Sequence, residues 1–211
     1  MARAQLPPPP PGSLAAARAA MTPPSTIAAC REGNGDACYE AGKKLYRLAA
    51  VLVSTCGARP DASLCQNHRM LKKQHAKIEV ALGLFERGCD GGSLPACVLL
   101  GMAYRDGDVV LPKPEAAQRL LTKACTSRHV GGCVALGELY QGRGRVGDLS
   151  AATVYFRRAC LLGYGRGCAK LAEAYRTGRG VDADKRRARS LRERACKLGD
   201  RGSCPTGQLK P

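Results

Sequence analysis

The chain has no Trp, two Phe and seven Tyr among its 211 residues, and that shortage narrows what it can be. A core built on large rings is excluded, as is a reader of single-stranded nucleic acid that stacks successive bases on aromatic platforms. Ala, Leu, Val and Cys have to fill the interior instead. Long apolar runs are missing too, since the best of them, residues 48–53, falls far short of the roughly 18 residues that a helical membrane span needs. Histidine is limited to His68, His75 and His129, with no His-x-His pair. Local sequence therefore offers no imidazole cluster for metal-assisted hydrolysis, and no metal or other cofactor is expected.

Cysteine, by contrast, is abundant. Cys30, Cys38, Cys56, Cys65, Cys89, Cys97, Cys125, Cys133, Cys160, Cys168, Cys196 and Cys204 fall into six neighbouring couples, five of them with seven residues between the partners. A thiol load of this size points to disulfides or to metal. Zinc sites usually draw on C-x2-4-C pairs, which do not occur here, so the spacing favours disulfides. With every cysteine in a couple, no unpaired thiol remains to act as a nucleophile. Matching cysteines also recur at a nearly fixed interval: Cys89 to Cys125 is 36 residues, Cys125 to Cys160 is 35, and Cys160 to Cys196 is 36. That interval marks an internal repeat.

Aligned on the second cysteine of each couple, the unit reads Cys97-Val-Leu-Leu-Gly101-Met-Ala-Tyr104, Cys133-Val-Ala-Leu-Gly137-Glu-Leu-Tyr140 and Cys168-Ala-Lys-Leu-Ala172-Glu-Ala-Tyr175. A small residue four places after Cys and a Tyr seven places after it share one face of a helix, helix A. Gly- and Asp-containing turns at Asp106-Gly107-Asp108, Gly142-Arg143-Gly144 and Gly178-Arg179-Gly180 end it. Helix B then carries its own stripe, Ala117, Leu120, Leu121, Ala124 and Cys125 in one copy and Ala152, Tyr155, Phe156, Ala159 and Cys160 in the next. In the last copy Arg192 stands where the others have Leu121 and Phe156, which suits a terminal repeat whose outer face meets water. One thiol of a seven-gap couple falls in the last turn of helix B and the other at the start of the next helix A, so a disulfide would staple the corner, while Cys56 and Cys65 are read as a sixth bridge of different spacing.

These features resemble the Sel-one-like repeat, an αα relative of the tetratricopeptide repeat, and in particular its disulfide-rich, Hcp-type cysteine-rich branch. The resemblance rests on the Cys-x7-Cys pairs, the Cys-x3-Gly-x2-Tyr helix A, the Gly-x-Gly-Val turn at residues 178–181 and the Ala-Cys ending of helix B. It implies an all-α fold, an αα-hairpin solenoid of stapled repeats over residues 30–204, divided at about 30–91, 92–128, 129–163 and 164–199. A Pro/Ala-rich leader, residues 1–29, with five consecutive prolines at 7–11, is expected to be disordered, and 205–211 form a tail. The first unit departs from the pattern. Leu45 stands where Tyr is expected, Tyr46 is one residue late, and a cysteine-closed insertion from Ser54 to Cys65 delays helix B until near Lys72.

Some proteins of the Hcp branch bind penicillin or hydrolyse β-lactams, so the resemblance implies a β-lactamase-type hydrolase as the alternative function. No serine here has Lys three residues later, which removes the Ser-x-x-Lys nucleophile. The first expectation is therefore a monomeric, non-enzymatic scaffold that holds a protein or peptide on the concave face made by successive helices A. Its candidate contact residues lie five and eight places after each second cysteine: Lys43, Met102, Arg105, Glu138, Gln141, Glu173 and Arg176.

The net charge is +17. Residues 164–199 hold eleven Lys and Arg against four Asp and Glu, so the last full repeat is the basic one and is expected to add weak attraction to anionic surfaces. Oxidised cysteines require a compartment outside the reducing cytosol, periplasmic or extracellular, with an oxidising organellar space such as the mitochondrial intermembrane space as the alternative. Arg18, Pro23 and Pro24 interrupt the only candidate secretory h-region. Ile27-Ala28-Ala29-Cys30 resembles a lipoprotein cleavage box, but lipidation of Cys30 would strand Cys38.

Overall fold

A computed structural model describes residues 24–58, 68–144 and 146–204, and every regular element among them is helical. In chain order these are α1 (Pro24–Arg31), α2 (Gly35–Ala58), α3 (His68–Asp90), α4 (Leu94–Asp106), α5 (Pro114–Thr126), α6 (Val130–Arg143), α7 (Val146–Leu161), α8 (Gly165–Thr177) and α9 (Lys185–Lys197), followed by a 3-10 turn at Arg201–Ser203. Helices A and B alternate as αα-hairpins of the solenoid class. They belong to two compact units, one holding the chain up to Ala96 with Gly107–Leu111, the other Cys97–Asp106 with the chain from Pro112 onward. Residues 1–23 of the expected leader and the tail from 205 lie outside the described residues, and α1 starts at Pro24.

The corners have a single construction. Three residues after the first cysteine of a seven-gap couple the backbone turns left-handed, at Gly33, Gly92, Gly163 and Gly199, and at Arg128 with φ 65°. The N–H of the following residue donates five residues back, as from His129 to the Ala124 carbonyl (3.0 Å) and from Tyr164 to the Ala159 carbonyl (3.0 Å). This is the Schellman closure, which satisfies an orphan helix carbonyl and reverses the chain in one step. The reversal sets the two thiols side by side. Cys30–Cys38, Cys125–Cys133, Cys160–Cys168 and Cys196–Cys204 are disulfides, with Cα atoms 4.5 to 4.8 Å apart. Cys56, Cys89 and Cys97 are also disulfide-bonded, while Cys65 lies outside the described residues. The sulfur of Cys30, which lipidation would require, is occupied by Cys38.

In the first unit α2 packs along α3. The helix does not break at Ser54 as the insertion predicts. Leu45, Ala49, Val53 and Cys56 keep helical spacing and are all buried, so the apolar stripe carries α2 on to Ala58. Helix B likewise begins at His68 rather than near Lys72. The late tyrosine has a packing explanation: Leu45 takes the buried position, and Tyr46 meets the edge of Phe85 with ring centroids 5.7 Å apart.

In the second unit consecutive helices from α5 to α9 pack pairwise, and α6 also touches α8. The interior is small side chains around single large ones: Ala117, Leu121, Leu136, Ala152, Phe156, Leu171 and Ala195 are buried. Wherever helix A carries Gly four places after its cysteine, the following helix B sends in a large side chain four places before its own. A Cβ at Gly101 would stand 2.8 Å from the Leu121 side chain, and one at Gly137 2.5 Å from the Phe156 ring. The terminal copy has Ala172 and Arg192 at these places, with Arg192 exposed. The apolar stripe of helix B is thus interrupted in the last described hairpin, where Arg192 meets solvent.

Candidate functional site

The densest polar cluster in the second unit is centred on one carboxylate. Glu138 projects from α6 and takes Arg105 of α4 on Oε2 at 2.8 Å, and Arg166 and Lys170 of α8 on Oε1 at 3.0 and 3.1 Å. Three consecutive helices A therefore meet at a single side chain that is only 14% exposed. Arg105 is nearly as covered. It also bonds Asp106 at 2.6 Å and donates to the Ala135 carbonyl. Burial alone would raise the Glu138 carboxyl, but the Lys170 ammonium and the Arg166 and Arg105 guanidiniums outweigh it and hold the group below the usual carboxylate range. Three cations against Glu138 and Asp106 leave this face with a positive surplus.

The seven candidate contact residues fare differently. Arg105 and Glu138 are brought together, and their mutual pairing commits both to the framework of the helix-A face. Met102 and Gln141 are half-buried on α4 and α6. Glu173 and Arg176 are exposed on α8 and bond each other one turn apart, Nε to Oε2 at 2.8 Å. Lys43 belongs to the first unit, where it pairs with Glu40 at 2.6 Å and lies 4.8 Å from the centre of the Tyr39 ring.

A model of the Sel1 repeat matches residues 94–129, 131–164 and 165–200, just over half of the chain. The chain belongs to the Sel1 repeat family. It is similar to cytochrome c oxidase assembly factor 7 of Xenopus tropicalis, 29% identical over an alignment of 163 positions that covers 74% of this chain and 64% of that protein. Similarity to assembly factor 7A of Xenopus laevis has the same extent, so the chain spans less than two-thirds of the length of these curated relatives. Among solved structures, a Sel1 repeat protein from Oxalobacter formigenes aligns with a TM-score of 0.51 and 25% identity, over 56% of this chain and 91% of that one. A protective antigen of uropathogenic Escherichia coli displaying an SLR fold aligns with a TM-score of 0.52 over 84% of this chain and 41% of that one; at 21% identity it speaks to the fold alone.

Within this Sel1 array, sequence reasoning missed Arg166 and Lys170. They flank Cys168 at two places before and two after, outside the five-and-eight spacing used to choose contact positions. A signal existed: Glu138 has Val134 and Gly142 four places either side, so no cation on its own helix lies at that spacing and its partners must come from neighbouring hairpins. His129 also has a structural role. Its Nδ1 accepts from the Gly132 N–H at 3.3 Å, capping α6, and burial lowers its pKa.

Proposed function

We propose that the protein is a non-enzymatic Sel1 scaffold that holds a protein or peptide segment against its helix-A face during assembly of a larger complex, in an oxidising compartment. The observation that carries this reading is the convergence of Arg105, Arg166 and Lys170 on Glu138. It makes one prepared, cationic face from three successive hairpins, next to the half-buried Met102 and Gln141. Such a face offers an incoming segment both charge and apolar contact without any reacting group. Disulfides at successive corners persist only outside the reducing cytosol. The name of the Xenopus relatives favours an oxidising organellar space, such as the mitochondrial intermembrane space, over the periplasm. It also suggests that the complex assembled is a respiratory oxidase. The basic α9 adds long-range attraction for acidic partners.

Photo-crosslinking in the native cell tests the reading. A crosslinker placed at Gln141 or Arg176 should trap a discrete partner, and one at the exposed helix-B residue Arg119 of α5 should not. Loss of the protein should lower fully assembled cytochrome c oxidase while leaving its subunit transcripts unchanged. Equal crosslinking from both faces, or normal oxidase levels without the protein, would overturn the face or the assembly role respectively.

A further inference from the structure

The last two helices B, α7 and α9, flank a groove of about 300 Å³ with helix A residues of α8 at its base. Its apolar surface comes from Leu171, Leu191 and the ring of Tyr175, and its rim from Arg157, Arg187 and Arg194. Among the described residues no carboxylate lines it. Arg187 has an ion pair with Asp184 at 3.2 Å, outside the lining. Among the described residues, Arg157 and Arg194 donate only to neutral oxygens, the Tyr175 hydroxyl at 3.3 Å and the Cys160 carbonyl at 3.4 Å.

The preceding repeat supplies an internal comparison. One repeat earlier, Tyr155 occupies the place of Leu191 and Tyr140 that of Tyr175, and the two rings stack with centroids 5.5 Å apart. Thr122 stands where Arg157 is and Ala151 where Arg187 is, while Arg158 matches Arg194. In the last repeat the tyrosine that would cover the ring is shortened to leucine; an arginine lies by the ring in both copies, Arg143 5.2 Å from the Tyr140 centre and Arg187 5.6 Å from that of Tyr175. The rim of the last repeat thus carries three arginines where the preceding copy keeps one, Arg158, beside a pair of stacked tyrosines.

We propose that this groove binds a peptide segment in which a leucine-sized aliphatic side chain is flanked by carboxylates. The recess takes the aliphatic group, and the guanidinium rim takes the carboxylates as charge-assisted, fork-shaped hydrogen bonds. A flat bilayer could not fill the recess, and a nucleic-acid backbone has nothing aliphatic to bury in it. The proposal is independent of the helix-A reading, because its residues lie on α7 and α9 and on parts of α8 that do not contact Glu138.

The test uses the oxidised full chain and a fluorescein-labelled peptide of Glu, Leu and Ala, read by anisotropy. Binding should weaken on the order of tenfold, about 1.4 kcal/mol, when Gln replaces the peptide's Glu residues, and similarly when Ala replaces its Leu residues. Leu191→Tyr, which restores the side chain of the preceding repeat, should abolish it. Arg157→Gln with Arg194→Gln should weaken it and reduce its salt dependence; these exposed side chains keep the proposal testable should Leu191→Tyr fold poorly. Substitutions at Met102 and Gln141 should leave peptide binding unchanged, which separates this groove from the helix-A face. Equal binding of the Gln peptide, insensitivity to the arginine changes, or preference for phosphatidylglycerol vesicles over the peptide would each overturn it.

Discussion

The ring of Phe156 fills the space that a side chain at Gly137 would occupy: an added Cβ would come within 2.5 Å of ring carbon Cε1. The ring is held on all sides, being 1% exposed, so it has no free volume into which to retreat. Gly137→Ala should therefore cost about 1–3 kcal/mol through overpacking, despite the better helix propensity of Ala. Thermal melts of the single variant, and of Gly137→Ala with Phe156→Leu, check the cause. The double variant should recover part of the loss, because Leu121 against Gly101 shows that the same architecture accepts leucine at this place.

Arg128 is the one non-glycine among the described residues with positive φ, and the four other seven-gap corners have glycine at the same place. A side chain in the left-handed region costs roughly 1–2 kcal/mol, part of which glycine's extra unfolded-state freedom offsets. Arg128→Gly should raise stability by about 0.5–1 kcal/mol, seen as a higher urea midpoint with an unchanged slope. A fall in the midpoint would mean that the arginine side chain makes a compensating contact.

Much of this was legible in the sequence because it is periodic. Couples of cysteines located the corners, and the Cys-x3-Gly-x2-Tyr spacing identified helix A, since both follow from backbone geometry that each copy repeats. What was not legible lies where copies differ. The length of α2 was hidden by the cysteine-rich insertion, although Leu45, Ala49, Val53 and Cys56 already ran at helical spacing. The Glu138 cluster was hidden because Arg166 and Lys170 belong to another hairpin, and contact between hairpins depends on packing rather than on local spacing. Exposure was the other blind spot: Arg105 and Arg176 occupy equivalent places in sequence, yet one is nearly covered and the other open.

The Cys160–Cys168 bridge closes a loop of eight residues, for which the chain-entropy model gives about 2–3 kcal/mol. Both sulfurs are buried with Ala195 and against Leu191, so replacing both cysteines by serine adds the cost of burying hydroxyls. Cys160→Ser with Cys168→Ser should lower stability by at least about 2 kcal/mol, with the loss concentrated in α8 and α9 by hydrogen exchange. Intact-mass analysis should show no alkylation of Cys160 or Cys168 in the native protein before reduction. Ready alkylation would contradict the staple.

Glu138 ties stability to pH through its three cations. Its carboxyl is held below the ordinary range in the folded state by Lys170, Arg166 and Arg105, against the opposing effect of burial. The folded state therefore binds this proton less readily than the unfolded chain. The stabilisation is complete above the unfolded pKa of a glutamate and is lost as pH falls through the lower, folded value. Glu138→Gln keeps the shape but removes the charge, leaving Arg105 with Asp106 as its remaining ionic partner. It should cost about 1–3 kcal/mol at neutral pH, in the range of hydrogen bonds to charged groups. Urea midpoints of the wild type and Glu138→Gln should diverge at neutral pH and converge as the acid limb is descended. Equal midpoints at neutral pH would show that side-chain shape at Glu138, not its charge, holds the three helices A together, and a constant gap across the acid limb would show that ionisation of Glu138 is not what the pH dependence reads.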